Sequence, residues 1–100
     1  MNDRLLSFLG LCKRAGYLIS GTDTVIKAVR EKKALLILAT DDFSDNSRKK
    51  IEKAAAEYGV TLKTLDCPKE ELSFALGKHC GVICITDKGF ADKILSMISI

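Results

Sequence analysis

The chain has no tryptophan, one proline and one histidine among its 100 residues, and what is scarce narrows its class before any motif does. No uninterrupted apolar run approaches the roughly 20 residues that a membrane-spanning helix needs, so a membrane protein is excluded. The N-terminus lacks the apolar segment and small-residue cleavage site of a secretory leader. Four cysteines, Cys12, Cys67, Cys80 and Cys84, are scattered among mostly apolar neighbours. No Cys-x-x-Cys pair occurs, which argues against a zinc site or a disulfide framework and for a reducing cytoplasm. Neither a G-x-x-x-x-G-K-[ST] loop nor a G-x-G-x-x-G turn is present, so the usual nucleotide-phosphate cradles are missing. Nothing reads as a linker, tail or repeat. A chain of this length with 47% hydrophobic residues is one folded domain able to bury its own core.

What is present in excess is positive charge, and it has an address. Residues 1–33 carry seven Lys/Arg against three Asp/Glu, a local +4, whereas 34–66 sum to -1 and 67–100 to zero. The net +3 of the whole chain therefore comes from one end. Such a patch attracts polyanions, nucleic acid among them.

Apolar spacing and glycine punctuation give the organisation. Leu5, Leu6, Leu9 and Cys12 recur at helical spacing, with Asn2 or Asp3 as cap and Gly16 past the end, which predicts a helix over about 3–15. A brief strand at 17–20 follows. Gly21, Thr22 and Asp23 then supply turn and cap chemistry for a helix carrying Val25, Ile26, Ala28 and Val29 to about Lys32. The run 35–39 is too short for a helix and apolar throughout, so it reads as a strand buried on both faces at the sheet centre. Ser44 caps a basic helix with Ile51, Ala54, Ala55 and Tyr58 inward and Gly59 at its end, and a strand over 60–65 follows. Asp66-Cys67-Pro68 opens a helix whose positive end suits Glu70 and Glu71 and which stops near Gly77. A strand at 82–86 and a helix over 89–98, with Phe90, Ile94, Leu95 and Ile98 on one face, complete the chain. The alternation implies an α/β fold, a three-layer α/β/α sandwich with a small four-stranded sheet, largely parallel or mixed.

Local groups that could do chemistry are mostly explained by plainer roles. Asp41-Asp42 and Thr86-Asp87-Lys88 each follow a strand, the arrangement of a magnesium-binding receiver-like switch, but that switch requires Asp41, Asp42 and Asp66 to converge. Acids after strands are more often turn and cap residues. His79-Cys80 with Cys84 lacks metal-ligand spacing, and Cys84 between Ile83 and Ile85 is a small core residue. No nucleophile can be paired with His79 from spacing, so an enzyme is not expected. Arg48-Lys49-Lys50 with Lys53 reads as the wet face of the third helix.

The succession LLSFLGLCKRAGYLISGTDTVIKAVREKKALLILATD, then VTLKTLDCPKEELSFALGKHC and VICITDKGFADKI, resembles the kink-turn RNA-binding ribosomal-protein superfamily (archaeal L-seven-Ae and eukaryotic L-thirty-e type), and more narrowly its bacterial YlxQ-type members. The likeness runs from Leu5 to Ile94. Its most specific pieces are KRAG-x-L-x-SG, G-x-x-x-V-x-KA, LGK and TD-[KR]-GFA-x-KI.

The resemblance implies an RNA-binding surface built from the start of the second helix and the loop between the fourth helix and the last strand. The residues concerned are Lys13, Arg14, Gly21, Thr22, Asp23, Thr24, Lys27, Arg30, Lys78 and His79. The implied partner is structured RNA, ribosomal or kink-turn-like, in or near the ribosome, with no cofactor, metal or membrane. In the resembling family the positions of Thr22, Asp23 and Thr24 read sheared G-A pairs. Here Asp23 accepts hydrogen bonds but cannot donate them as an amide would, and the loop 78–81 is shorter and more basic than the apolar loop with which kink-turn readers cover a splayed base. A protein-interaction or stress-response module on the same fold is the competing implication; a neutral face around Lys13, Lys27 and Lys78 would favour it.

Overall fold

The computed structural model describes residues 3–98; Asn2, one of the two predicted caps of the first helix, lies outside them. The elements are α1 (Asp3–Arg14), β1 (Leu18–Ser20), α2 (Thr22–Arg30), β2 (Leu36–Ala39), α3 (Asp45–Tyr58), β3 (Thr61–Thr64), α4 (Lys69–Leu76), β4 (Val82–Ile85) and α5 (Lys88–Ile98). Every expected element is present. Among the described residues no helix is long and apolar enough to cross a membrane.

The sheet is the mixed form of the two that the sequence allows. Its order is β1-β4-β2-β3, with β4 antiparallel to both β1 and β2 and only β2-β3 parallel. It follows that β1, β2 and β3 point one way and β4 enters backwards between β1 and β2. The alternation rule missed the reversed strand because it takes every intervening helix as a crossover that restores strand direction.

Side-chain alternation along the two central strands divides the core. Leu36, Leu38, Ile83 and Ile85 face α1, α4 and α5, where Leu5, Leu9, Leu72, Leu76 and Ile94 meet them. Ile37, Ala39, Val82 and Cys84 face α2 and α3, meeting Val25, Val29, Ile51 and Ala55. Both strands are buried along their whole length, as a continuous apolar run requires.

Three sequence expectations are corrected. Tyr58 is 39% exposed rather than inward, since Ile51, Ala54 and Ala55 already fill the inner face of α3. Leu35 lies before the strand and is 44% exposed. α2 stops at Arg30, two residues early, with Lys32 in the left-handed region (φ 62°) turning the chain toward β2. The predicted stops at Gly59 and Gly77 do occur, both glycines adopting left-handed conformations that cost a residue with a Cβ.

Candidate nucleic-acid interface

The carboxyl end of β1 passes straight into α2 through Gly21, whose backbone (φ 100°, ψ 144°) is open only to glycine without strain. The Gly21 N–H donates to the Val82 carbonyl at 3.1 Å, so the start of α2 sits against the start of β4. A Cβ at Gly21 would also lie 2.9 Å from Thr24 Oγ1. The Thr24 hydroxyl is held there by donating to the Ser20 carbonyl at 2.5 Å. No side chain caps α2. Thr22 is half-buried, while Asp23 and Thr24 are exposed; their backbone N–H groups open the helix at its positive end, where an anion is favoured.

From that first turn outward, Asp23, Lys27 and Arg30 follow one another on the outer face of α2, where they form one wall of a groove of about 720 Å³. The other wall is α3, with Lys50 and Lys53; Ile26 and Ala54 line it between, and Glu31 and Glu57 belong to it as well. Four cations against three acids leave it mildly positive. Lys50 and Lys53 were not among the site residues expected from the sequence. Their helical period shows that they face away from the core, but not that α2 turns its own cations toward them.

The other predicted part is the loop after α4. Gly77 reverses the chain, and Ser73 then holds it: its hydroxyl accepts from the Cys80 N–H at 3.1 Å and donates to the Cys80 carbonyl at 3.3 Å. Gly81 backs onto Lys69 and the Phe43 ring, so closely that a Cβ would stand 2.9 Å from the ring. Lys78 and His79 project, exposed, from the far end of this return. Lys13 reaches them from α1: its ammonium donates to the Leu76 carbonyl at 2.5 Å. Burial raises the Cys80 thiol pKa, and the charges of Lys78 and Lys13 act in the opposite direction.

The predicted residues thus fall into two groups, one on each side of the sheet. Lys13, Lys78 and His79 gather at the end of α4, and Arg14 comes close enough for its guanidinium to lie 3.7 Å from where a Cβ of Gly10 would be, beside Ala75. Thr22, Asp23, Thr24, Lys27 and Arg30 belong to α2, on the other side of the sheet. Gly21 joins the groups by its bond to Val82, three residues past His79. Arg48, read from the sequence as solvated, is instead a structural tie: its guanidinium donates to the Thr40 carbonyl and Thr64 Oγ1 at 3.1 and 3.2 Å, fastening the ends of β2 and β3.

Two of the acids that follow strands cap helices instead. Asp42 Oδ1 accepts from the Lys69 N–H at 2.8 Å, capping α4 from a distant segment, and this bond lowers its carboxyl pKa. Asp87 Oδ2 caps α5 through the Phe90 N–H at 2.9 Å. Among the described residues no three His, Cys, Asp or Glu side chains converge to hold a metal. All four thiols are buried, and burial pushes Cys67 up to about 11 and Cys84 to about 12.

A sequence model of the ribosomal protein L7Ae/L30e/S12e/Gadd45 family matches residues 3–95. The chain is 38% identical over 91 residues to RNA-binding protein YlxQ of Bacillus subtilis (strain 168), covering 90% of each. It is 33% identical over 95 residues to RNA-binding protein YlxQ of Enterococcus faecium, covering 95% of this chain and 91% of that protein. Among solved structures it superposes at a TM-score of 0.91 on a Bacillus halodurans C protein of unknown function, 31% identical, covering 99% of this chain and 100% of that one. The Giardia lamblia 15.5kD RNA binding protein superposes at 0.76 with 18% identity, over 99% of this chain and 91% of that one; at that identity the likeness concerns the fold alone.

Proposed function

Because the chain belongs to the ribosomal protein L7Ae/L30e/S12e/Gadd45 family, we propose that it is a non-enzymatic cytoplasmic protein that binds structured RNA, ribosomal or kink-turn-like, through the start of α2 and the cationic loop after α4. The observation that carries the reading is the opening of α2 at Gly21, where no side chain caps the helix and the backbone can approach a phosphate closely. Lys27 and Arg30, farther along α2, extend the contact along the RNA backbone, and Lys78 and His79 meet it from the α4 end. Phosphate contacts of this kind position an RNA; they do not read its sequence. Reading falls to Thr22, Asp23 and Thr24, of which Asp23 can accept from base amino groups and repels phosphate.

The non-enzymatic part of this proposal is supported by the family, and the thiols argue against a cysteine nucleophile. A nucleophilic cysteine needs a lowered pKa, whereas the resolved shifts of Cys12, Cys67, Cys80 and Cys84 are all upward through burial. The deciding experiment is a salt titration of binding to a kink-turn RNA and to a plain hairpin. With four or five phosphate contacts, the logarithm of affinity falls against the logarithm of salt concentration with a slope of about -0.7 to -0.9 per contact. A flat titration, or no binding to either RNA, overturns the reading.

A further inference from the structure

Phe74 is 90% exposed, twice the exposure of any other large apolar side chain among those described. Its place on α4 explains the exposure. Leu72 and Leu76 turn into the core, and Phe74, midway between them in an eight-residue helix, points the opposite way. Long helical side chains lean toward the preceding turn, and Phe74 lines a shallow recess with Pro68, Glu70 and Glu71. Two of the four residues lining the recess are acids, Glu70 and Glu71. In a chain of net charge +3, the ring is therefore flanked by carboxylates.

This charge decides between occupants. An RNA backbone is repelled by Glu70 and Glu71, whereas a guanidinium is suited to both features, since it stacks on an aromatic face while its N–H fork bonds carboxylate. We propose that the outer face of α4, centred on Phe74 with Glu70 and Glu71, docks an arginine-bearing segment of a basic protein. The segment lays an arginine over the ring and its neighbouring apolar residues against Pro68. The surface is opposite in sign to the α2 opening, so the chain holds RNA and the basic segment together.

The test uses the full chain and a fluorescently labelled peptide alternating leucine and arginine, with matched peptides carrying lysine or glutamine in place of arginine. The arginine peptide binds, the lysine peptide binds several-fold more weakly and the glutamine peptide does not bind. Phe74→Ala weakens the arginine peptide by roughly 2- to 30-fold, Phe74→Tyr restores it, and the pair Glu70→Gln with Glu71→Gln removes most of its salt dependence. Affinity for a kink-turn RNA stays within about twofold in all these variants, and Lys27→Ala leaves the peptide unaffected. Phe74 has no core contacts to lose, so equal melting temperatures of wild type and Phe74→Ala confirm that the fold is intact. Peptide binding that ignores Phe74→Ala overturns the proposal. So does a loss of RNA affinity in Phe74→Ala, which would assign the ring to the RNA surface instead.

Discussion

The starts of α2 and α5 lie at opposite ends of the sheet and solve the same problem in opposite ways. At α5, Asp87 supplies a carboxylate for the Phe90 N–H, next to Thr86, whose N–H is taken by the Tyr17 carbonyl. A side chain thus closes part of that first turn. At α2 the capping position is a glycine with no side chain to offer, and the Thr24 hydroxyl is turned back onto the Ser20 carbonyl. α3 and α4 side with α5, capped by Ser44 and by Asp42. Where α3, α4 and α5 each close their start with a side chain, α2 leaves its own open, and glycine in place of a side-chain cap forgoes only about a few tenths of a kcal/mol.

Closing the open start has the largest effect. Gly21→Ala forces a Cβ into a glycine-only conformation against Thr24 Oγ1, and should cost about 2 to 3 kcal/mol, a drop of roughly 10 to 20 °C in a thermal melt, together with RNA affinity. Adding Thr24→Ala relieves the overlap but not the backbone strain, so only part of the stability returns. Lys27→Ala comes next: it should weaken binding to kink-turn and hairpin RNA equally, by about 1 kcal/mol, and flatten the salt slope by the share of one contact. Asp87→Ala should destabilise by about 1 kcal/mol yet leave RNA affinity unchanged; an equal loss of RNA affinity would erase the contrast between the two helix starts. Asp23→Asn should alter preference more than strength, raising the ratio of kink-turn to hairpin affinity, and equal strengthening of both would mean that Asp23 acts through charge alone.

The smallest effect is one of pH. Asp42 has its carboxyl held below its ordinary value of 3.8 by the bond from Lys69, so its contribution is present above that value and is lost as the pH falls through the lowered one. Acid should therefore fray the start of α4 before that of α2, whose capping glycine does not titrate. Amide exchange at Lys69 followed below pH 4 checks the order.

Much of this architecture was legible in the sequence because it depends on local rules. The all-apolar run ending at Ala39 could only be a strand buried on both faces, and Gly59 and Gly77 marked helix ends that require a left-handed residue. Gly21 likewise marked the start of α2, although the side-chain cap expected there from Thr22 or Asp23 does not form. Direction and tertiary ties were not. Nothing local in Val82–Ile85 says that the strand enters backwards, Arg48 gives no sign that its partners are Thr40 and Thr64, and the Asp42 cap joins residues 27 apart in the chain. The facing of Lys50 and Lys53 toward Lys27 and Arg30 likewise depends on how two helices pack. Such features are set by long-range geometry, for which hydrophobic period carries no information.

The reversed β4 also orders events in time. β1 and β2 are parallel but not neighbours, and the strand that bridges them leaves a ribosome after both. Until residues 82–85 emerge, β1 has no partner in the sheet and the Gly21 N–H has no Val82 carbonyl to hold it, so a growing chain can pair only β2 with β3. Long-range pairings of this kind form late. The surface proposed to grip RNA is thus incomplete in a nascent chain until residues 82–85 have emerged and paired.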